Sequence, residues 1–206
     1  YLSEESDKFE IEIYHSPFVH PIEKVGQGTT LPITRLIFTT LGIDWYNNPI
    51  GATFKSGILY ENWGKKQDKI FHNFNAPDIG MHLVPHKFSE QVLNSKYFKV
   101  TEKNISDPES DIDANIIFDC RGRHNRDSSK YEKLVNPLNS VILSKKDKRD
   151  YDLTYTRCVA TPNGWTFVIP NVDSVSYGYL YNNKITSRLE ATEDFLYRFN
   201  LDEIND

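Results

Sequence analysis

Lys55 is the side chain in this sequence best placed to do chemistry from an unusual position. It lies within "GATFKSGILYENW", Gly51 to Trp63. There Phe54, Ser56, Ile58 and Tyr60 alternate with Lys55, Gly57, Leu59 and Glu61, which predicts a β-strand. A lysine carried inward on a strand loses hydration. Its charged form is disfavoured, its pKa falls, and a neutral, nucleophilic amine becomes available. Arginine could not serve, because its guanidinium stays protonated. A strand is also a stiff mount, and Gly57 on the same face leaves the approach open. The plainer reading of the same residues is an edge-strand charge, or a lysine that snorkels to water.

Three further groups could serve such an amine. In "VGQGTT", Val25 to Thr30, Gly26 and Gly28 let backbone N–H groups come close to a ligand, and Gln27, Thr29 and Thr30 add polar side chains. The loop could equally be a plain lead into a helix. In "GWTFVIP", Trp165, Phe167 and Ile169 share one strand face ahead of Pro170, either as a flat apolar wall or as core. "DCRGR" sets Asp119 and Arg121 beside Gly122, which permits a sharp turn; ligand contact and surface charge are both open. His82 and His86 have helical spacing, but Pro85 interrupts the helix, so they read as surface or helix-start histidines and no metal site is expected. The acidic run Asp107 to Asp113 lacks the glycine and ligand spacing of a calcium loop. Cys120 and Cys158 form no C-x-x-C pair and read as free thiols.

The elements that must carry these groups follow from periodicity. "FEIEIYHS" predicts a strand with Phe9, Ile11 and Ile13 buried. Pro32 fits the first position of a helix with Ile33, Leu36, Ile37 and Leu41 inward, stopped by Gly42. A second helix starts at Pro85, with Phe88, Val92 and Leu93 inward. "ANIIFDC" is a continuous apolar run, expected as a strand covered on both faces. "SVSYGYLY" alternates Val175, Tyr177, Tyr179 and Tyr181 against small residues. Ser187 and Glu190 form a capping box for a last helix containing Leu189, Phe195, Leu196 and Phe199. With 206 residues, 38% of them hydrophobic and 26% charged, the composition is that of a soluble globular protein of α/β type with an aromatic-rich antiparallel section. The net charge of -5 argues against a nucleic-acid partner. The absence of any apolar run near the roughly 18 residues that span a bilayer argues against a membrane one. With no signal peptide, a cytoplasmic setting is expected.

The ordered set "VGQGTT", "GATFKSGILYENWG", "GMHLVPHKFSEQVL", "IIFDCRGR", "YTRCVATPNGWTFVIP" and "SYGYLYNNKITSRLEATEDF" resembles the flavin-dependent tryptophan halogenase family, over nearly the whole chain from Phe9 to Phe199. The resemblance implies a partial FAD-binding Rossmann-like fold of the flavin monooxygenase type, with an antiparallel β-sheet section. It implies reduced FAD supplied by a separate flavin reductase, O₂, a halide ion and a small aromatic substrate of the tryptophan or indole class. Lys55 is then the catalytic lysine that relays hypohalous acid to the ring. Gly26, Gln27, Gly28, Thr29 and Thr30 strap the flavin ring, with Asp119 and Gly122 as further cofactor contacts. Trp165, Phe167, Ile169 and Pro170 form the wall between flavin and substrate that suppresses oxygen insertion.

The sequence departs from the family at two of these positions. Gln27 stands where the family has Glu, and Phe167 where it has a second Trp. Both departures keep open a flavin monooxygenase of the same superfamily. No G-x-G-x-x-G turn occurs, the chain starts at Tyr1 rather than Met, and Lys55 and Trp165 are 110 residues apart, closer than in full-size relatives. The expectation is therefore one truncated domain over 1–206, a piece of a longer polypeptide. Whether that piece binds FAD, or is a non-catalytic remnant, is left open, as are substrate, halide and oligomeric state.

Overall fold

The computed structural model describes residues 9–16, 25–75, 77, 79–121, 137–147 and 153–205. A six-stranded sheet forms the body, in the order β5 (Lys69–Asn73), β4 (Gly57–Glu61), β9 (Thr156–Thr161), β10 (Gly164–Pro170), β11 (Ser174–Tyr181) and β8 (Ser140–Asp147). All its pairings are antiparallel except β4 with β9. A three-stranded sheet has the order β2 (Gln27–Gly28), β6 (Gly80–Leu83), β3 (Thr53–Lys55), and a parallel pair joins β1 (Glu12–His15) to β7 (Lys99–Glu102).

The two faces of the large sheet differ because side chains alternate along each strand. One face sends Val168, Val175, Tyr177, Tyr179, Tyr181 and Ile142 into a core closed by Ala191 and Phe195 of helix α4 (Arg188–Phe199). Each such large apolar side chain contributes about 1.5–3 kcal/mol on burial. The predicted capping box is present: Ser187 Oγ accepts from Glu190 N–H, and the Glu190 carboxylate accepts from Ser187 N–H. The other face carries Trp165, Phe167, Cys158 and Ser176, by the register Phe167↔Cys158 and Ile169↔Ser176. Against this second face lies the small sheet. His82 on β6 bonds Thr156, and Thr53 on β3 donates to the Pro170 carbonyl. A second cluster, Ile43, Ile50, Ala52, Met81 and Leu83, fills the space under helix α1 (Ile33–Leu41), and Phe88 of helix α2 (Pro85–Leu93) packs against it.

Several expectations change. The stretch from Gly51 to Trp63 is not one strand. It breaks at Ser56, so that β3 belongs to the small sheet and β4 to the large one. Ser56 stays satisfied there: its N–H donates to Thr154 and its carbonyl accepts from Phe74. On this ribbon the polar series, Lys55, Gly57 and Glu61, is the buried one, and Phe54 is exposed. Glu61 tolerates burial because Arg157 Nε donates to it at 2.5 Å and Lys69 approaches to 3.5 Å. Pro32 is the N-cap of α1 rather than its first residue. Phe38 replaces Ile33 and Leu36 on the inner face, since both of those are exposed. Gly42 does end the helix, with φ +65. The run "ANIIFDC" is not a strand: among the described residues no strand pairs with it, and Phe118 is 78% exposed. Phe9 is exposed as well, because β1 begins only at Glu12. Among the described residues no helix is long and apolar enough to cross a membrane.

Candidate active site

Lys55 ends β3 opposite Gly80 of β6 and is 5% exposed. Glycines make this burial possible. A β-carbon at Gly28 would stand 3.1 Å from the amine, and one at Gly80 would stand 3.2 Å from the Lys55 Cδ. The amine donates to the Thr29 carbonyl at 3.0 Å and lies 5.4 Å from the centroid of the Phe74 ring. Among the described residues no carboxylate pairs with it. Burial therefore pushes the Lys55 ammonium below the ordinary lysine range, with the nearby Cys158 sulfur opposing, and burial pushes the Cys158 thiol up. A desolvated amine held by one neutral acceptor is poised to give up its proton.

The loop bearing Gly26 to Thr30 runs between the two sheets. Gln27 and Gly28 form β2 against Leu83 and His82. Thr29 is tied to Met81 twice: its N–H donates to the Met81 carbonyl, and its Oγ1 accepts the Met81 N–H. Gly26 N–H donates to Ser176 Oγ on the large sheet at 3.0 Å. The outer side of this loop, Gln27, Gly28 and Thr30, is exposed. Lys55 and the loop are thus in direct contact, and both are anchored to the sheet face that carries Trp165.

On that face Trp63, Trp165 and Phe167 form a row, with centroids 6.2 Å and 6.3 Å apart. The Trp63 indole N–H donates to the Cys158 carbonyl at 2.8 Å, which fixes its ring across β9. The Phe167 ring lies over Gly178, where a β-carbon would come within 2.0 Å of it. Ile169 and Pro170 are buried at the end of β10 nearest Thr53.

The remaining candidates lie apart from this cluster in their contacts. Asp119 is engaged by Arg121 through its Nε and Nη2, while Arg121 Nη1 also donates to the Ile105 and Ser106 carbonyls. Gly122 lies outside the described residues. His82 is not a surface histidine: it is fully buried, with Nε2 2.9 Å from Thr156 Oγ1, while His86 is exposed. Among the described residues no His, Cys, Asp and Glu cluster could hold a metal. Sequence reasoning missed Phe74, Cys158, Asn171 and Ser176 around the amine and loop. Their proximity comes from strand register across sheets, and no local pattern signals it.

Known proteins bear on the family and the fold. The profile of the family described as tryptophan halogenase matches residues 1–115 and 89–206. Among solved structures, a tryptophan halogenase from Shewanella frigidimarina is 18% identical with a TM-score of 0.69, over 95% of this chain and 53% of its own. BrvH, a flavin-dependent halogenase from Brevundimonas sp. BAL3, is 16% identical with a TM-score of 0.73, over 94% of this chain and 55% of its own. A flavin-dependent halogenase from Xanthomonas campestris is 17% identical with a TM-score of 0.71, over 99% and 56%. At such identities the likeness is one of fold. The chain spans a little over half the length of these structures. The fold class is the expected one, α/β with a partial FAD-binding Rossmann-like architecture and an antiparallel section.

Proposed function

The chain belongs to the tryptophan halogenase family, and from that membership we propose that its parent protein is a flavin-dependent halogenase acting on an electron-rich aromatic ring of the indole class. The observation that carries this reading is the buried Lys55 amine, held by the Thr29 carbonyl of the glycine loop and, among the described residues, without a carboxylate partner.

The residues present fit one end of FAD. Gly26 to Thr30 offer a glycine-rich edge whose outer side is open, suited to the flat flavin ring. These 206 residues contain no G-x-G-x-x-G turn of the kind that seats a pyrophosphate. When bound and reduced by a partner reductase, the flavin supplies the means of converting O₂ and halide to hypohalous acid. Lys55 then acts in two steps. Its neutral nitrogen forms a bond to the halogen as the O–halogen bond breaks, and the amine proton leaves with the hydroxide as water. The ring carbon next takes the halogen, the bonding pair returns to nitrogen, and the ring proton restores the amine. Trp165 and Phe167 stand as the partition that keeps oxygen chemistry from the ring and Ile169, on the same face, braces its end, whereas Pro170, paired with Val175, turns toward the tyrosine-rich core. A second reading, hydroxylation by a flavin monooxygenase, is favoured by Gln27 and by the smaller Phe167.

The test uses the parent protein with FAD, a flavin reductase, bromide and an indole. Brominated product, lost in Lys55→Met while flavin binding persists, is expected. Hydroxylated product supports the second reading, and bromination that survives Lys55→Met refutes the role of Lys55.

A further inference from the structure

Asn171, which follows Pro170 at the end of β10, is 3% exposed and plays no part in the steps above. Its Nδ2 donates to Ser176 Oγ at 2.9 Å, the same oxygen that accepts the Gly26 N–H. Its Oδ1 is buried without a hydrogen-bond partner. That oxygen faces Gly26 so closely that a β-carbon there would stand 1.9 Å from it. Folded proteins rarely leave a buried amide oxygen unpaired, and such an atom asks for an explanation.

We propose that Asn171 is a positioning residue: with Ser176 it sets where Gly26 sits, and through the loop it sets the Thr29 carbonyl that holds the Lys55 amine. Between Gly26 and Thr29 lies only the two-residue strand β2, whose outer side is exposed. A ladder that short is weak alone, so the anchor at Gly26 governs the loop's entrance. The Asn171 amide is packed against the α-carbon side of Gly26, where even a β-carbon would not fit, so it stops the loop from moving closer to the end of β10 while Ser176 holds it from moving away. The Thr29 carbonyl, three residues on, keeps its hold on the Lys55 amine only while that anchor is in place. The significance for catalysis rests on the proposed function, but the contact between loop and amine does not.

The experiment measures acetylation of each lysine by acetic anhydride across pH, read peptide by peptide by mass spectrometry. It compares the unaltered chain with Asn171→Ala, Ser176→Ala and Ser144→Ala. Lys69, with a largely exposed side chain, is the internal reference. Cys158 and His82 are the titratable groups packed around Lys55, and a Cys158→Ser background removes the titration of the thiol. Asn171→Ala and Ser176→Ala are expected to raise the plateau labelling rate of Lys55 about tenfold relative to Lys69 through easier local opening, and to move the Lys55 midpoint up as the amine gains hydration. Ser144→Ala breaks a buried bond to the Glu203 carbonyl on the opposite face and should lower stability without moving either quantity. The proposal is overturned if folded Asn171→Ala leaves Lys55 unchanged, or if Ser144→Ala changes it equally. Should Asn171→Ala not fold, Ser176→Ala decides by the same criteria. None of these outcomes depends on halogenation, so they are separable from failure of the functional reading.

Discussion

Gly178→Ala should destabilise the protein only while Phe167 keeps its ring. An alanine β-carbon at 178 would lie 2.0 Å from Phe167 Cζ and 2.3 Å from its Cε1. An ordinary carbon contact is about 3.5–4.0 Å, so the ring must move by roughly 1.5 Å or more, away from its place beside Trp165. Overpacking of this kind costs about 1–3 kcal/mol. Replacing a strand glycine by alanine returns about 0.5–1 kcal/mol, which leaves a net loss of about 0–2.5 kcal/mol. In a Phe167→Ala background the obstruction is gone, and the same change should stabilise by about 0.5–1 kcal/mol. Urea unfolding of the four proteins measures this, provided the slopes agree, and the coupling between the sites should be about 1–3 kcal/mol. If Gly178→Ala has the same effect in both backgrounds, the ring does not lie on Gly178 and the aromatic row is placed wrongly.

Lys55→Met should raise stability at neutral pH. Burial lowers the folded-state pKa below the 10.5 of a free lysine, so between those two values the unfolded chain binds more protons and the unaltered protein gains stability as pH rises. The advantage of the methionine variant should accordingly shrink as pH approaches 10.5; parallel stability curves for the two proteins would falsify the dry placement of the amine. Ser187→Ala removes the side-chain cap and half of the capping box at the start of α4, and should cost about 1 kcal/mol in the same unfolding assay.

What could be read from sequence was local. Ser187 and Glu190 specify their cap within four residues, Gly42 stops α1 by its own conformational freedom, and the alternation in Ser174 to Tyr181 follows directly from the pleat. The inward course of Lys55 was legible in the same way, as an odd member of an alternating series. Residues whose environment depends on distant partners were not legible. "ANIIFDC" has the composition of a covered strand, but composition does not supply the neighbours that cover it. His82 reads as polar until Thr156, far away in sequence, is brought against it. Ser56 gives no sign that the chain changes sheets there, because the break is made by the carbonyl of Thr154 and the N–H of Phe74. Asn171 and Ser176 carry no pattern at all, and only the fold reveals that they meet Gly26.

The passage of one ribbon from the small sheet into the large one at Ser56 also limits how this architecture can diversify. Lys55 and Gly57 are separated by a single residue that serves both sheets, so the amine is referenced to the aromatic row by one peptide unit on each side. Inserting or deleting a residue here would turn one half of the ribbon inside out relative to the other, since faces alternate with every step. Lineages that retarget such a scaffold would have to do so by exchanging side chains around a fixed pivot, leaving changes of length to segments far from it.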